Sequence, residues 1–185
     1  MLRKQQTFQK GNLTLRPPSL SHGEILSPIR VRSLDASDTD WIRQILVEHW
    51  SSVRIVSRGK VHNAELLPGL VALLGSMRVG LLTYRIDVDQ CEIVTINSLQ
   101  EGIGIGTALI KSVRSAAVAN GCRRLWVITT NDNVRAIGFY RRNGFSLVAR
   151  HRYAVEQSRK LKPEIPLIGL GGIPLRDEIE LEMVL

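Results

Sequence analysis

From Ile29 to Leu34 apolar and polar positions alternate, with Ile29, Val31 and Ser33 opposing Arg30, Arg32 and Leu34, which predicts a first strand. Asp35 to Asp40 (Asp-Ala-Ser-Asp-Thr-Asp) offers several N-caps. Trp41, Ile42, Ile45, Leu46 and His49 follow at helical spacing, so a helix is predicted to about Trp50. Residues 51–69 read as loop, with Ser57 to His62 loop-like and Leu66 to Gly69 a turn. Three apolar runs follow, Leu70–Leu74, Val79–Ile86 and Cys91–Leu99, separated by short polar turns; such spacing predicts an antiparallel meander. From Ile105, the residues Ala108, Leu109, Ser112, Val113, Ala116 and Ala117 mark one face of a helix that Asn120-Gly121 stops. Leu125–Thr129 is a buried strand, Asn131-Asp132-Asn133 caps a helix that ends at Asn143-Gly144, and Phe145–Ala149 is a further strand. Residues 152–176 form a long segment containing Pro and Gly. In a last strand Ile179, Leu181, Met183 and Leu185 alternate with acids. No internal repeat is visible.

Composition narrows the class. The 185 residues suit one domain, and 44% apolar with 23% charged residues is a globular balance. Residues 1–28, with Pro17-Pro18 and no clear period, read as a flexible extension, and 29–185 as a single domain. No apolar run approaches ~18 residues, so no membrane span is expected. Cys91 and Cys122 read as isolated buried thiols, which fits a reducing compartment, and with four unclustered histidines they predict no metal site. A cytoplasmic location is expected; organellar targeting is the alternative that the basic N-terminal segment allows. The net charge is +8, of which residues 1–34 carry +5; residues 111–160 hold eleven Lys/Arg against Asp132 and Glu156. A basic middle segment suggests a polyanionic ligand or a solvated face.

Glu101-Gly-Ile-Gly-Ile-Gly-Thr107 lies between a strand and a helix. Glycines permit close approach to the backbone, and a helix N-terminus presents unsatisfied N–H groups, so the turn is a phosphate site in kind. Its spacing is neither that of a nucleotide-hydrolysing loop nor of the dinucleotide fingerprint. The run Gly104-Ile-Gly-Thr-Ala-Leu-Ile110, followed by Asn133-x-x-Ala136-x-x-Phe139-Tyr140-x-x-x-Gly144-Phe145, resembles the GNAT superfamily of acetyl-CoA-dependent N-acetyltransferases over about residues 29–151. One departure is Glu101, where the family usually has Gln or Arg. The resemblance implies an α/β chain built as a three-layer α+β domain. Its central sheet would be mixed, mostly antiparallel and splayed at the cofactor cleft, with helices on both faces.

The resemblance also implies roles. Glu101, Gly102, Ile103, Gly104, Ile105, Gly106 and Thr107 would hold the pyrophosphate of acetyl-CoA. Ile96, Asn97 and Ser98 would bind its pantetheine arm and polarise the acetyl carbonyl. Glu92, four residues before Ile96 and so expected on the same strand face, would be the general base. Tyr140 would be the general acid for the departing thiol, with Asn133, seven residues earlier on the same helix face, a cofactor contact. Lys111, Arg135, Arg141 and Arg142 are candidates for the phosphates. Arg58, Lys60 and His62 lie where the family often builds its acceptor pocket, and His62 is expected to bond within a loop.

The leading expectation is acetyl transfer to an amine of a small molecule or a protein, without metal or membrane, in a possible homodimer. A basic nucleic-acid-binding module and a non-catalytic acyl-CoA sensor are the alternatives. Against the first, Trp41, Trp50 and Trp126 do not interleave with the basic residues; against the second, Glu92 and Tyr140 are both present.

Overall fold

The computed structural model describes residues 28–185; the expectation for the N-terminal extension lies outside them up to residue 27. The elements are β1 (Arg30–Ser33), α1 (Thr39–Trp50), β2 (Arg54–Ser57), β3 (Lys60–Asn63), β4 (Gly69–Leu74), β5 (Met77–Asp87), β6 (Gln90–Ser98), α2 (Ile105–Ala119), β7 (Arg124–Thr130), α3 (Val134–Arg142), β8 (Ser146–His151), α4 (Ala154–Leu161) and β9 (Glu178–Val184). Seven strands form one sheet in the order β1-β4-β5-β6-β7-β9-β8. All neighbours are antiparallel except β6 and β7, which the α2 crossover makes parallel.

The two faces are buried differently. On one, Ile105, Leu109, Val113 and Ala117 of α2 and Tyr140 and Phe145 pack on Cys91, Ile93, Leu125, Val127, Ile179 and Leu181. On the other, Ile42, Ile45 and Leu46 of α1 and Ile55 of β2 pack on Leu81 and Val94. Burial pushes the Cys91 thiol up to about 12.

Two irregularities shape the centre. Residues Gln90–Ile93 pair with Arg124–Val127, and there the pairing stops, although β6 runs on to Ser98 and β7 to Thr130. The sheet therefore opens between them, which is the splay expected at a cofactor cleft. Second, Thr95 pairs with Thr83 and Ile93 with Tyr84, so Val94 is an extra residue in β6. A bulge of this kind bends its strand and breaks alternation.

Two stretches expected to be irregular are ordered. Residues 54–63 form the β2–β3 hairpin, a sheet of its own, around the tight turn Arg58-Gly59, both at positive φ. Within 152–176 lies α4, whose buried positions are only Val155 and Ser158.

Candidate active site

The glycine turn sits at the open end of the β6–β7 gap, because it continues β6. Gly102 and Gly104 have φ of 82° and 88°, and no atom of the described residues lies within 4 Å of a Cβ placed on either. Only glycine adopts such angles without strain, and the empty space beside them leaves the backbone open to a ligand. Gly104 caps α2, and the first bond closing the helix is Ala108 N–H to Gly104 C=O, so no helical carbonyl accepts from Ile105, Gly106 or Thr107. Their N–H groups and the positive helix end point to one place. Gly106 also serves the packing, since a Cβ there would meet the Phe139 ring at 3.0 Å; its smallness lets α3 lie against α2. Glu101 is exposed and ion-paired with Arg135 at 2.5 Å, which brings one guanidinium from α3 beside the turn. Ile103 is exposed and Ile105 buried. Lys111 lies further along α2, in a groove with Arg114, and Arg141 and Arg142 are exposed.

The strand end that leads into the turn also borders the gap. Ile96, Asn97 and Ser98 pair with β5 on one edge, through Leu82, Leu81 and Gly80, and among the described residues have no strand on the other. Ile96 packs on the α2/α3 face. Asn97 accepts a hydrogen bond from Trp50 Nε1 at 3.0 Å on the α1 face, and Ser98 donates to Gln100 C=O.

Tyr140 is buried, its ring in edge contact with Phe139 and Phe145 at centroid distances of 5.3 and 5.4 Å. Its hydroxyl has no hydrogen-bond partner among the described residues, and burial pushes its pKa up. Asn133 is the N-cap of α3, its side-chain oxygen accepting from Ala136 N–H at 3.1 Å, so that oxygen is committed to the helix.

Glu92 departs from expectation. Because Val94 is inserted, Glu92 and Ile96 face opposite sides: Ile96 the α2/α3 core, Glu92 the hairpin. Glu92 is 2% exposed, accepts from Ser57 Oγ at 2.6 Å and Arg85 Nε at 2.7 Å, and pairs with Trp126 where the sheet is still closed. His62 is also not the loop hydrogen-bonder expected. It lies in β3, and its Nε2 is buried without a partner among the described residues. Burial lowers its pKa, against the attraction of Glu92. Arg58 ion-pairs with Glu180, which also ion-pairs with Arg124 and hydrogen-bonds His151 Nε2 at 2.7 Å. Lys60 is exposed.

Sequence reasoning missed the cavity on the α1 face. It measures about 280 Å³ and is walled by Trp50, Ile55, Val56, Val155, Ile165 and Pro166, with Thr130 and Glu178 at the β7 and β9 ends. Its only trace in the sequence was the acid alternation of the last strand.

Comparison with known proteins agrees with this architecture. The Acetyltransferase (GNAT) family profile matches residues 40–145. The uncharacterized protein YdhI of Bacillus subtilis (strain 168) is 40% identical over 139 residues, 75% of this chain and 87% of that one. The solved IAA acetyltransferase of Bacillus cereus ATCC 14579 superposes with a TM-score of 0.66 at 22% identity, over 85% of this chain and 100% of its own. A Bacillus subtilis acetyltransferase solved in complex with CoA gives 0.62 at 18% identity, over 85% and 99%. With the splayed sheet, the glycine turn capping α2 and the family match covering more than half the sequence, the chain belongs to the GNAT family of acetyltransferases.

Proposed function

We propose that this protein transfers the acetyl group of acetyl-CoA directly to a primary amine. The observation that carries the reading is the meeting of an unpaired β6 edge at residues 94–98 with the donor-rich turn 102–107 that follows it. The residues fit the cofactor: Glu101 to Thr107 would hold the pyrophosphate on backbone donors, Arg135 lies beside them, and Ile96, Asn97 and Ser98 would bind the pantetheine arm along the open edge. The structural relative solved with CoA supports the same use of the fold. Once bound, acetyl-CoA supplies an activated thioester. The chain's own work is to hold it, to aim a β6 N–H at the acetyl oxygen, and to assist the leaving sulfur.

Tyr140 is the group that assists the sulfur. A tyrosine hydroxyl with a raised pKa stays protonated at every working pH, so it is always a donor. The same raised pKa opposes complete loss of the proton to a thiol-derived sulfur, whose ordinary pKa is about 8.5. Tyr140 therefore acts chiefly by donating a hydrogen bond to the sulfur; as the C–N bond forms and the C–S bond breaks, the two protons that the ammonium loses pass to water, and one returns from water to the departing thiolate. Asn133 acts by starting the helix that carries Tyr140. The closure of Glu92 by Ser57 and Arg85 supports a positioning role: it holds the hairpin that walls the acceptor side.

The test is acetyl-CoA titration by calorimetry. Gly104→Val forces a β-branched residue into a left-handed backbone and puts a side chain into the open space. Binding is expected in the wild type and its loss in Gly104→Val, with the fold checked by circular dichroism. Unchanged affinity in the variant would remove the turn from the site.

A further inference from the structure

We infer that the acceptor is a small primary monoamine with an apolar body, and that Glu178 binds its ammonium group in the cavity of the α1 face; this rests on the acetyltransferase reading above. The cavity borders the gap on both sides. Thr130, which pairs with Glu178 of β9 but lies beyond Val127, the last β7 residue paired with β6, lines it directly. Trp50 lines it too and donates to Asn97 on the β6 edge. An amine lodged there lies on the opposite face of the sheet from α2 and α3, with the opening of the sheet between them.

The chemistry of the walls selects the amine. Trp50, Ile55, Val56, Val155, Ile165 and Pro166 offer apolar surface, and about 280 Å³ is just below the roughly 300–1,000 Å³ of drug-sized ligand sites. Among the three glutamates that β9 turns to this face, Glu180 is ion-paired with Arg58 and Arg124, and Glu182 with Arg124. Glu178 differs. It is 3% exposed and forms no ion pair among the described residues; it accepts only from Ser158 Oγ at 2.9 Å and Arg58 N–H at 3.3 Å. A buried carboxylate bonded only by neutral donors has no cation in direct contact, and a ligand ammonium is a partner of the complementary kind. Lys162, fixed on Trp50 C=O and Arg54 C=O at 2.9 and 3.0 Å, lines the same cavity. Its charge stands against a second cation on the acceptor and so against polyamines, although Glu164 lies beside it and softens this discrimination.

The experiment uses the full chain with 2-phenylethylamine, spermidine and a short peptide with a free N-terminus as probes. Binding without acetyl-CoA is read by saturation-transfer NMR, and turnover by thiol release from acetyl-CoA. Expected results are binding of 2-phenylethylamine by the wild type and by Glu182→Gln, and at least tenfold weaker binding by Glu178→Gln, whose amide oxygen can still accept from Ser158. Val56→Phe, a filling change on the half-buried hairpin strand, should also lose the amine while keeping acetyl-CoA affinity. KM for 2-phenylethylamine should rise at least tenfold in Glu178→Gln. Equal amine affinity in Glu178→Gln and wild type, no binding of 2-phenylethylamine, or preference for spermidine or the peptide would overturn the proposal. Glu178-dependent binding with no thiol release would keep the site and sink the acetyl-transfer reading instead.

Discussion

In Tyr140 the ring serves packing, and the hydroxyl is what remains for the proposed hydrogen bond to the sulfur. Its ring belongs to the α2/α3 core, between Phe139 and Phe145, so the aromatic body is fixed before any ligand arrives. The hydroxyl alone is left over. Tyr140→Phe keeps the ring and its edge contacts, so stability and acetyl-CoA affinity should change little. Turnover should fall by about 10²–10³-fold, the usual cost of removing one donor from a developing negative charge. Steady-state kinetics with any accepted amine decides it, and an unchanged kcat would assign the sulfur's partner to water. Glu92 is the instructive contrast. Its neighbourhood in sequence suggested a base, but the insertion of Val94 turns it towards Ser57 and away from the side on which Ile96 lies.

Elements, in turn, are held in place at their junctions. The turn Ala36–Asp38 leads into α1, and Asp38, fully buried, accepts from Arg32 of β1, Arg78 of β5 and its own turn at Asp35 N–H. Hydrogen bonding to Arg32, foremost, holds its carboxyl well below the usual carboxylate range. A depressed pKa in the folded state means stability that is present above about pH 4 and lost as the pH falls towards the folded value. Asp38→Asn should therefore cost about 1–2 kcal/mol at neutral pH, a modest figure because both arginines are partly in water, and should flatten the acid limb of the stability curve. Urea unfolding at pH 7 and pH 3 checks both; a constant difference between wild type and variant at the two values would deny the linkage. Most elements were legible because their periods are strong: the meander β4–β6, α2, β7 and α3 fall within a residue or two of their expected places. What escaped lacked a period. Helix α4 buries only Val155 and Ser158, so no apolar stripe announces it. The β2–β3 hairpin buries alternate residues too polar to be noticed, Ser57 and His62 among them. The bulge at Val94 carries no mark in the residue type at all, and every facing argument drawn across it inverts.

On the scale of the whole molecule, the excess of basic residues in 111–160 shrinks once the chain is folded. Arg123 pairs with Asp89, Arg124 with Glu180 and Glu182, Arg135 with Glu101 and Arg150 with Asp177, each acid coming from another part of the sequence. Four of the eleven basic residues of that stretch are one side of cross-links, which weakens the nucleic-acid alternative. Acetyl-CoA at about a hundred times its Kd should stabilise the fold by about 2.7 kcal/mol, or roughly 5–10 °C in melting temperature for a chain of this size. Duplex DNA at equal phosphate concentration should leave the melting temperature where it was; a larger rise with DNA than with acetyl-CoA would reverse the assignment. The hairpin carries a different kind of consequence. Among the described residues it pairs only with itself, and it meets the great sheet through side chains: Ser57 on Glu92, Arg58 on Glu180, Ile55 in the α1 core. A wall attached in this way can be lengthened, recharged or replaced without re-registering any of the seven strands. Selectivity can therefore drift, or be redesigned, while the machinery behind it stays in frame.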